Sequence, residues 1–512
     1  MDWIDNFEFI EDLVTVGIFW VVGDEKNPKI IFDSTEYSKH GKGFINYEWS
    51  HFEKWDKLSA EQEGGKYKKY DCYYFPRGRV LYNCDTKKTM VYADKKILNR
   101  ISELEEELMG IFLLEDFEYC TDEHYQSYAK WDSADKLNYK ILRGADKIGA
   151  NLLEFSRGGT KILVEFGSEL DAEDDGLTKQ EKDIIETLYD ACIITHYHGD
   201  HAGKIGELNC PIYMGRRCKA IINTISDYTG GKKPKTVRTF RDEVPFIIGS
   251  IKITPYLCDH SAADSYMLLF EGGGKKVLYT GDYRSSGRKS FAALLKKLPT
   301  NIDVLITEAT NLNHTTQKFN EIELERQAAN IMRLTDKPVF VLQSSTNIDR
   351  LVSFYKATRR TNRKFFIDDY QAQICDSIGG KIPRPDIFTD VFTFAPKVLK
   401  GERYEKFNNF KNKISRAQIA KQKKYCMLVR SSHLSLIKSL SRQDSLSGSV
   451  LVYSMWEGYK EKEDMYKFLK GIEALGIKIV SMHTSGHADS ETIEKLITHV
   501  NPKIVKHIHC QQ

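Results

Sequence analysis

Residues 195–201 read Thr195-His196-Tyr197-His198-Gly199-Asp200-His201, directly after the apolar run Ala191-Cys192-Ile193-Ile194, which has the composition of a buried strand. Three imidazoles and a carboxylate within six positions are hard to place as ordinary core. Packed together without a ligand, they would crowd one another with unsatisfied ring nitrogens. A divalent cation removes the conflict, because neutral imidazole nitrogen and carboxylate oxygen are its usual donors. A polar surface loop is the competing explanation, and it gives no reason for the spacing. The chain must therefore end a strand where this loop can close around metal.

At 512 residues the chain is too long for one ordinary core, so two or three domains are expected. The net charge of +3 conceals an asymmetry. Residues 1–130 carry 17 basic and 26 acidic side chains, whereas residues 351–450 carry 20 basic and 8 acidic ones. A local basic surface matters more to a polyanionic partner than the total does. The most biased stretch, residues 411–424, is rich in lysine and has no acidic residue. The ten cysteines are scattered with no CxxC pair, the pattern of reduced thiols in a cytoplasmic protein. The acidic start, Met1-Asp2-Trp3-Ile4-Asp5, lacks the layout of a signal peptide, and no apolar run is long enough to span a bilayer. A soluble protein with no membrane partner is the expectation.

Two textures divide the chain. Residues 1–130 suggest a small acidic α+β domain: residues 14–22 and 29–33 read as strands about a turn, and Ile97, Ile101, Leu104, Leu108 and Ile111 share a helical face. Its Phe75-Pro76-Arg77-Gly78-Arg79 segment reads as a polar turn in preference to a binding surface, and no chemistry is visible there. From Tyr139 onward, short apolar runs at 161–166, 191–195, 251–256, 276–280, 303–307, 339–342, 450–454, 477–481 and 504–507 read as buried strands. Residues 181–188 and 491–499 read as helices between them. Strands interleaved with helices indicate layered α/β architecture.

The His196–His201 pattern resembles the HxHxDH signature of the metallo-β-lactamase superfamily. The resemblance implies that His196 and His198 hold one metal, and Asp200 and His201 a second. Two later motifs match in order. Asp259-His260-Ser261 follows a strand-like run and would complete the first site with His260. Tyr279-Thr280-Gly281-Asp282 matches a strand end whose aspartate bridges both metals. One position departs: the superfamily's Asp-x-Gly at the end of the preceding strand is Glu165-Phe166-Gly167 here, which puts the fine geometry around a ligand in doubt.

Three further features resemble the β-CASP branch, the nucleases that include ribonuclease J and the pre-mRNA 3′-end processing endonuclease. Leu305-Ile306-Thr307-Glu308-Ala309-Thr310 looks like its acidic motif A. His483-Thr484-Ser485-Gly486-His487-Ala488 looks like motif B, and His507-Ile508-His509 like motif C, whose histidine is a metal ligand. The implied fold is an αββα metallo-β-lactamase sandwich with an inserted α/β cap, plus the small N-terminal domain. The expected boundaries are 1–130, then 138–312 as the first part of the sandwich, 313–448 as the basic insert, and 449–512 as the second part. Gln343-Ser344-Ser345-Thr346-Asn347 would open the insert, and Ser454 with Gly458-Tyr459 would lie on the strand returning to the sandwich.

The implied chemistry is phosphodiester hydrolysis by a water activated between two divalent ions. Zinc is expected from the histidine-rich set, although manganese or iron would also suit it. Asp282 would hold the ions together, Asp200 would also position the attacking hydroxide, and His509 would be the second site's last ligand. His487 would be the general acid, oriented and made more basic by Glu308. A histidine at motif C goes with the RNA-processing members, so RNA is the expected partner, bound through a basic cleft, with DNA the alternative. A lactonase-like small-molecule hydrolase has no need of the long basic insert, and a catalytically silent subunit would be expected to lack some of these ligands. A protein partner or regulator is expected at the acidic N-terminal domain, and homo-oligomerisation stays open.

Overall fold

A computed structural model describes residues 136–169, 176–312 and 320–510, and before them the backbone of six short strands. The chain divides into two compact units, residues 1–136 with 244–253, and residues 137–243 with 254–512. In the first, Trp20–Val22 pairs antiparallel with Lys29–Ile31. A four-stranded sheet runs in the order Tyr70–Phe75, Gly78–Asn83, Thr89–Ala93, Phe117–Cys120. Phe75 pairs with Gly78, so the expected polar turn closes a hairpin. The expected helix over residues 97–111 lies outside the described residues.

The second unit carries the histidines. One sheet is ordered Val237–Phe240, Ile212–Gly215, Ala191–Ile193, Thr160–Val164, Leu152–Arg157, Asn138–Arg143. A second runs through residues 254–258 of the strand Ile251–Cys258, then Ser265–Gly272, Lys275–Tyr279, Val304–Glu308 and Ile504–Ile508. The Phe155 and Phe270 rings, one from each sheet, stack 3.8 Å apart, so the sheets face one another. The outer face of the first packs on the helix Arg216–Thr229, and that of the second on Phe291–Lys297 and Ser490–Val500. Buried on both faces, the inner strands such as Ala191–Ile193 and Val304–Glu308 read as continuous apolar runs without alternation. The result is an αββα sandwich.

A third sheet, parallel throughout, is ordered Val391–Phe394, Lys364–Asp368, Tyr425–Val429, Val339–Leu342, Val450–Tyr453, Lys478–Ser481. Helices Glu321–Arg333, Ile348–Arg360 and Asp369–Ile378 cover one face, Leu434–Ser441 and Glu463–Glu473 the other. Val304–Glu308 and Ile504–Ile508 are neighbours in the sandwich, and this entire sheet lies between them in sequence. It is an insertion between two adjacent strands.

The expected return to the sandwich at residue 449 is corrected by this pairing. Val450–Tyr453 registers residue for residue with Val339–Leu342, and Lys478–Ser481 with Val450–Tyr453. An apolar VLVY strand needs both faces covered, and the insert's two helix layers provide that. Only after Ser481 does the chain cross back, through residues 482–489, to the helix Ser490–Val500 on the sandwich. The segment carrying His487 is thus the crossing itself.

The basic run is also placed. Lys411, Lys413, Arg416, Lys421, Lys423 and Lys424 are all exposed, and Lys413 bridges to Thr393 on the edge strand Val391–Phe394. That is the edge opposite Lys478–Ser481, five strand spacings or about 24 Å across the sheet, whereas Lys421, Lys423 and Lys424 lead into the inner strand Tyr425–Val429, where Lys424 pairs with Asp336. Among the described residues no helix is long and apolar enough to cross a membrane, and the seven described cysteines are free thiols.

Candidate metal centre

The histidine loop is held from beneath by backbone. After the strand Ala191–Ile193, the amides of Phe166 and Ser168 take the carbonyls of His201 and Gly199, and the Asn151 amide takes that of Asp200. The approach is so close that a Cβ on Gly167 would fall 1.7 Å from the Asp200 carbonyl oxygen, so only glycine fits there. Residues 199–202 form a single helical turn, which swings Asp200 and His201 inward.

His196 Nε2 and His260 Nε2 stand 3.1 and 3.0 Å from His198 Nδ1. Burial first, then the neighbouring imidazoles, hold His196 and His260 well below the usual histidine range. Burial takes His198 down to about 4. Three neutral rings therefore turn nitrogen lone pairs on one another at hydrogen-bond distance, with too few protons to bridge them all. A cation fits that arrangement, and a dry apolar pocket does not. The His260 ring is aimed by its other nitrogen, Nδ1, which lies 2.6 Å from the Gly486 carbonyl on the crossing segment.

A second group sits beside it. His201 Nε2 is 3.2 Å from Asp282 Oδ2 and 3.7 Å from Asp200 Oδ2, and His509 Nε2 is 3.1 Å from Asp200 Oδ2. Burial opposes ionisation of both carboxylates, yet the surrounding imidazoles hold Asp200 and Asp282 below the ordinary carboxylate range. Asp282 Oδ2 also lies 4.0 Å from His196 Nε2 and 3.9 Å from His260 Nε2. One carboxylate thus touches both groups, the position a bridging ligand needs. The donors fit two divalent cations: three imidazoles for the first, two carboxylates and two imidazoles for the second.

Glu165 takes the place of the shorter aspartate without losing contact with its ligand. Its φ of 64° turns the longer side chain back, so that Oε1 lies 3.2 Å from His201 Nδ1 and 2.5 Å from Thr195 Oγ1. Left-handed backbone at a non-glycine costs energy and persists where the surroundings enforce it. His509, with φ of 55°, does the same at the end of Ile504–Ile508.

The motif A and B residues meet at the rim. His487 Nδ1 is 2.8 Å from Glu308 Oε2 and 3.6 Å from Asp282 Oδ2, and its ring is partly exposed. Burial lowers its proton affinity, but the carboxylates of Glu308 and Asp282 outweigh this and raise its pKa to about 9. Glu308 also accepts from the Tyr283 and Ala488 amides and from the Thr310 hydroxyl, which lies 2.8 Å from His509 Nδ1.

The structure brings together in this cluster His196, His198, Asp200, His201, His260, Asp282, Glu308, His487 and His509, the residues expected to hold metal or move a proton. Sequence reasoning missed Asn151, whose Nδ2 is 3.1 Å from His201 Nε2, and the role of Thr310. It also missed a buried ion network behind the site. Arg284 contacts Asp259, Glu321 and Asp349 and donates to the Ser485 carbonyl. Arg350 contacts Glu321 and donates to the carbonyls of Ser454 and Thr484. No spacing signal could reveal it, since its members span residues 259–485.

No family model matches the chain. It is 25% identical over 268 residues to endoribonuclease ysh-1 of Neurospora crassa, covering 46% of this chain and 31% of that protein. It is 22% identical over 256 residues to ribonuclease J of Mycoplasma genitalium, covering 47% and 45% respectively. The chain thus matches less than half the length of either relative. A solved structure of a protein of unknown function from Enterococcus faecalis superposes with a TM-score of 0.61 at 18% identity, over 74% of this chain and 95% of that one, which speaks for the fold alone. Taken with the sandwich, the insert and the gathered motifs, these matches make the chain a distant homologue of the β-CASP nucleases, built on the metallo-β-lactamase fold.

Proposed function

We propose that this chain is a metal-dependent ribonuclease. The observation that carries the reading is Asp282 Oδ2, within 4.0 Å of ring nitrogens from both ligand groups and 3.6 Å from His487 Nδ1. Two divalent cations bound by these groups, zinc in our reading, would lower the pKa of a shared water and offset the charge on a phosphoryl group. The chain's own residues do the rest. Asp200 accepts a hydrogen bond from the attacking water. His487, fixed at Nδ1 by Glu308, presents its Nε2 proton to the leaving oxygen. Thr310 holds Glu308 in place, so the imidazole keeps one orientation through the reaction.

RNA is favoured as the substrate because both relatives carry ribonuclease names. The exposed basic run, from the edge strand Val391–Phe394 to the start of Tyr425–Val429, would follow the polyanion and leave the chemistry to the centre. A reducing, cytoplasmic setting suits the free thiols. The test is digestion of labelled RNA and DNA, side by side, by metal-loaded protein, paired with elemental analysis. Chelator-sensitive cleavage of RNA is expected, abolished in His198→Ala and His487→Ala, with bound metal lost only in the first. Intact RNA after prolonged incubation with protein that holds two metals would refute it.

A further inference from the structure

Trp456 is 62% exposed, unusual for the largest apolar side chain, and yet it is held firmly. Its indole lies across the backbone of Gly458, where a Cβ would fall 2.3 Å from Cη2 and Cζ3. Tyr459 meets it edge-on, with ring centroids 5.4 Å apart at 89°, and the Tyr453 hydroxyl donates to its carbonyl. An aromatic fixed in this way has already lost its rotamer freedom, so contact with a ligand costs little further ordering.

Its place in the fold connects it to the centre. It follows Val450–Tyr453, at the carboxyl ends of the parallel strands of the insert, where open α/β sheets receive ligands. Two residues before it, the Ser454 hydroxyl donates to the Met482 carbonyl. Lys460 Nζ reaches Ser481 Oγ at 2.8 Å. The Trp456 loop is thus laced to the start of the segment that carries His487. Its own charges nearly cancel, Lys460 and Lys462 against Glu457, Glu461 and Glu463, so it is no phosphate site. What it offers is a rigid aromatic face.

We propose that Trp456 is a stacking platform for one base of the single-stranded RNA that enters the metal centre, an inference that rests on the ribonuclease reading. Stacking on an aromatic ring is tolerant of base identity and insensitive to salt, unlike phosphate contact. Trp456 therefore fixes where a strand lies without choosing its sequence.

The experiment uses the full-length metal-loaded protein and a single-stranded RNA, with bis(p-nitrophenyl) phosphate as a substrate that has no base to stack. Trp456→Ala should raise KM for RNA about 5- to 150-fold, the range of one base–aromatic stack, with kcat held within about 2-fold. Hydrolysis of the small diester and the salt dependence of RNA binding should not change, and Trp456→Phe should recover most of the affinity. The other five tryptophans all lie in residues 1–131, so the fluorescence of wild type minus Trp456→Phe isolates Trp456, and a phosphorothioate oligonucleotide should quench it. RNA cleaved by wild type and Trp456→Ala with equal KM overturns the platform alone. A changed salt slope overturns it too. If the wild type neither binds nor cleaves RNA, the ribonuclease reading fails and takes the platform with it.

Discussion

Glu321 is the single acid shared by two fully buried guanidiniums. Asn320 caps the helix Glu321–Arg333, which sets Glu321 at its first turn with Oε1 3.1 Å from Arg350 Nε and 3.4 Å from Arg284 Nη1. Burial opposes its ionisation, but the two arginines outweigh burial and hold its carboxyl below the usual range, so it is charged at neutral pH. Arg284 retains Asp259 and Asp349 when Glu321 is removed, whereas Arg350 is left, among the described residues, with no directly paired acid and with the neutral oxygens of Ser454 and Thr484. Removing one partner of a buried pair costs about 3–5 kcal/mol, against a total stability of about 5–15 kcal/mol. Glu321→Ala should therefore fold and be weakened by about that amount. Urea unfolding followed by circular dichroism reads the loss. Glu321→Leu combined with Arg350→Met should recover part of it, because the pair is replaced by apolar groups of similar volume. Activity should fall further than the folded fraction, since the same arginines hold the carbonyls of Thr484 and Ser485 in the segment carrying His487. A loss below about 1 kcal/mol, or strictly additive single and double variants, would refute the argument that these charges depend on one another.

Three further expectations concern the centre and its support. Gly167→Ala should lower metal content sharply while leaving the circular dichroism spectrum intact, because its methyl group would displace the Asp200 carbonyl; full metal occupancy by elemental analysis would contradict this. Glu165→Gln should weaken metal affinity about 10- to 100-fold, as loss of a carboxylate behind a ligating histidine does, measured by competition with a chromophoric chelator. Glu181 is ion-paired with Arg143 and Lys204; burial opposes its charge, but these partners and the Thr178 amide take its pKa down to about 2. A depressed carboxylate stabilises the fold fully above its unfolded value near 4.5 and loses that contribution as pH falls towards 2. Allowing for water at the rim, the difference between wild type and Glu181→Gln should shrink by about 2 kcal/mol across that window; a constant difference would be the contrary result.

The candidate donors were legible because metal chemistry writes itself locally. His196, His198, Asp200 and His201 share one loop, and His260, Asp282 and His509 each stand at a strand end, where an apolar run stops at a donor. The inner strands were legible for a related reason: burial on both faces demands uninterrupted apolar runs. The residues at 450–453 gave no comparable guidance about which sheet they join, because VLVY suits any buried parallel position.

From sequence alone follow the candidate donor set, the layered α/β class, and the presence of a long insert between two sandwich strands. Tertiary structure alone decided that the insert's sheet runs to Ser481, so that His487 lies on the crossing, and that the basic run passes from the edge strand Val391–Phe394 to the inner strand Tyr425–Val429. It also decided that Glu165 reaches His201 through a left-handed turn, and that Arg284, Glu321 and Arg350 meet behind the centre. The physical reason is one of range. A donor's identity and its place at a strand end are properties of a few adjacent residues, whereas strand partners and buried charge pairs are settled by competition among segments hundreds of residues apart.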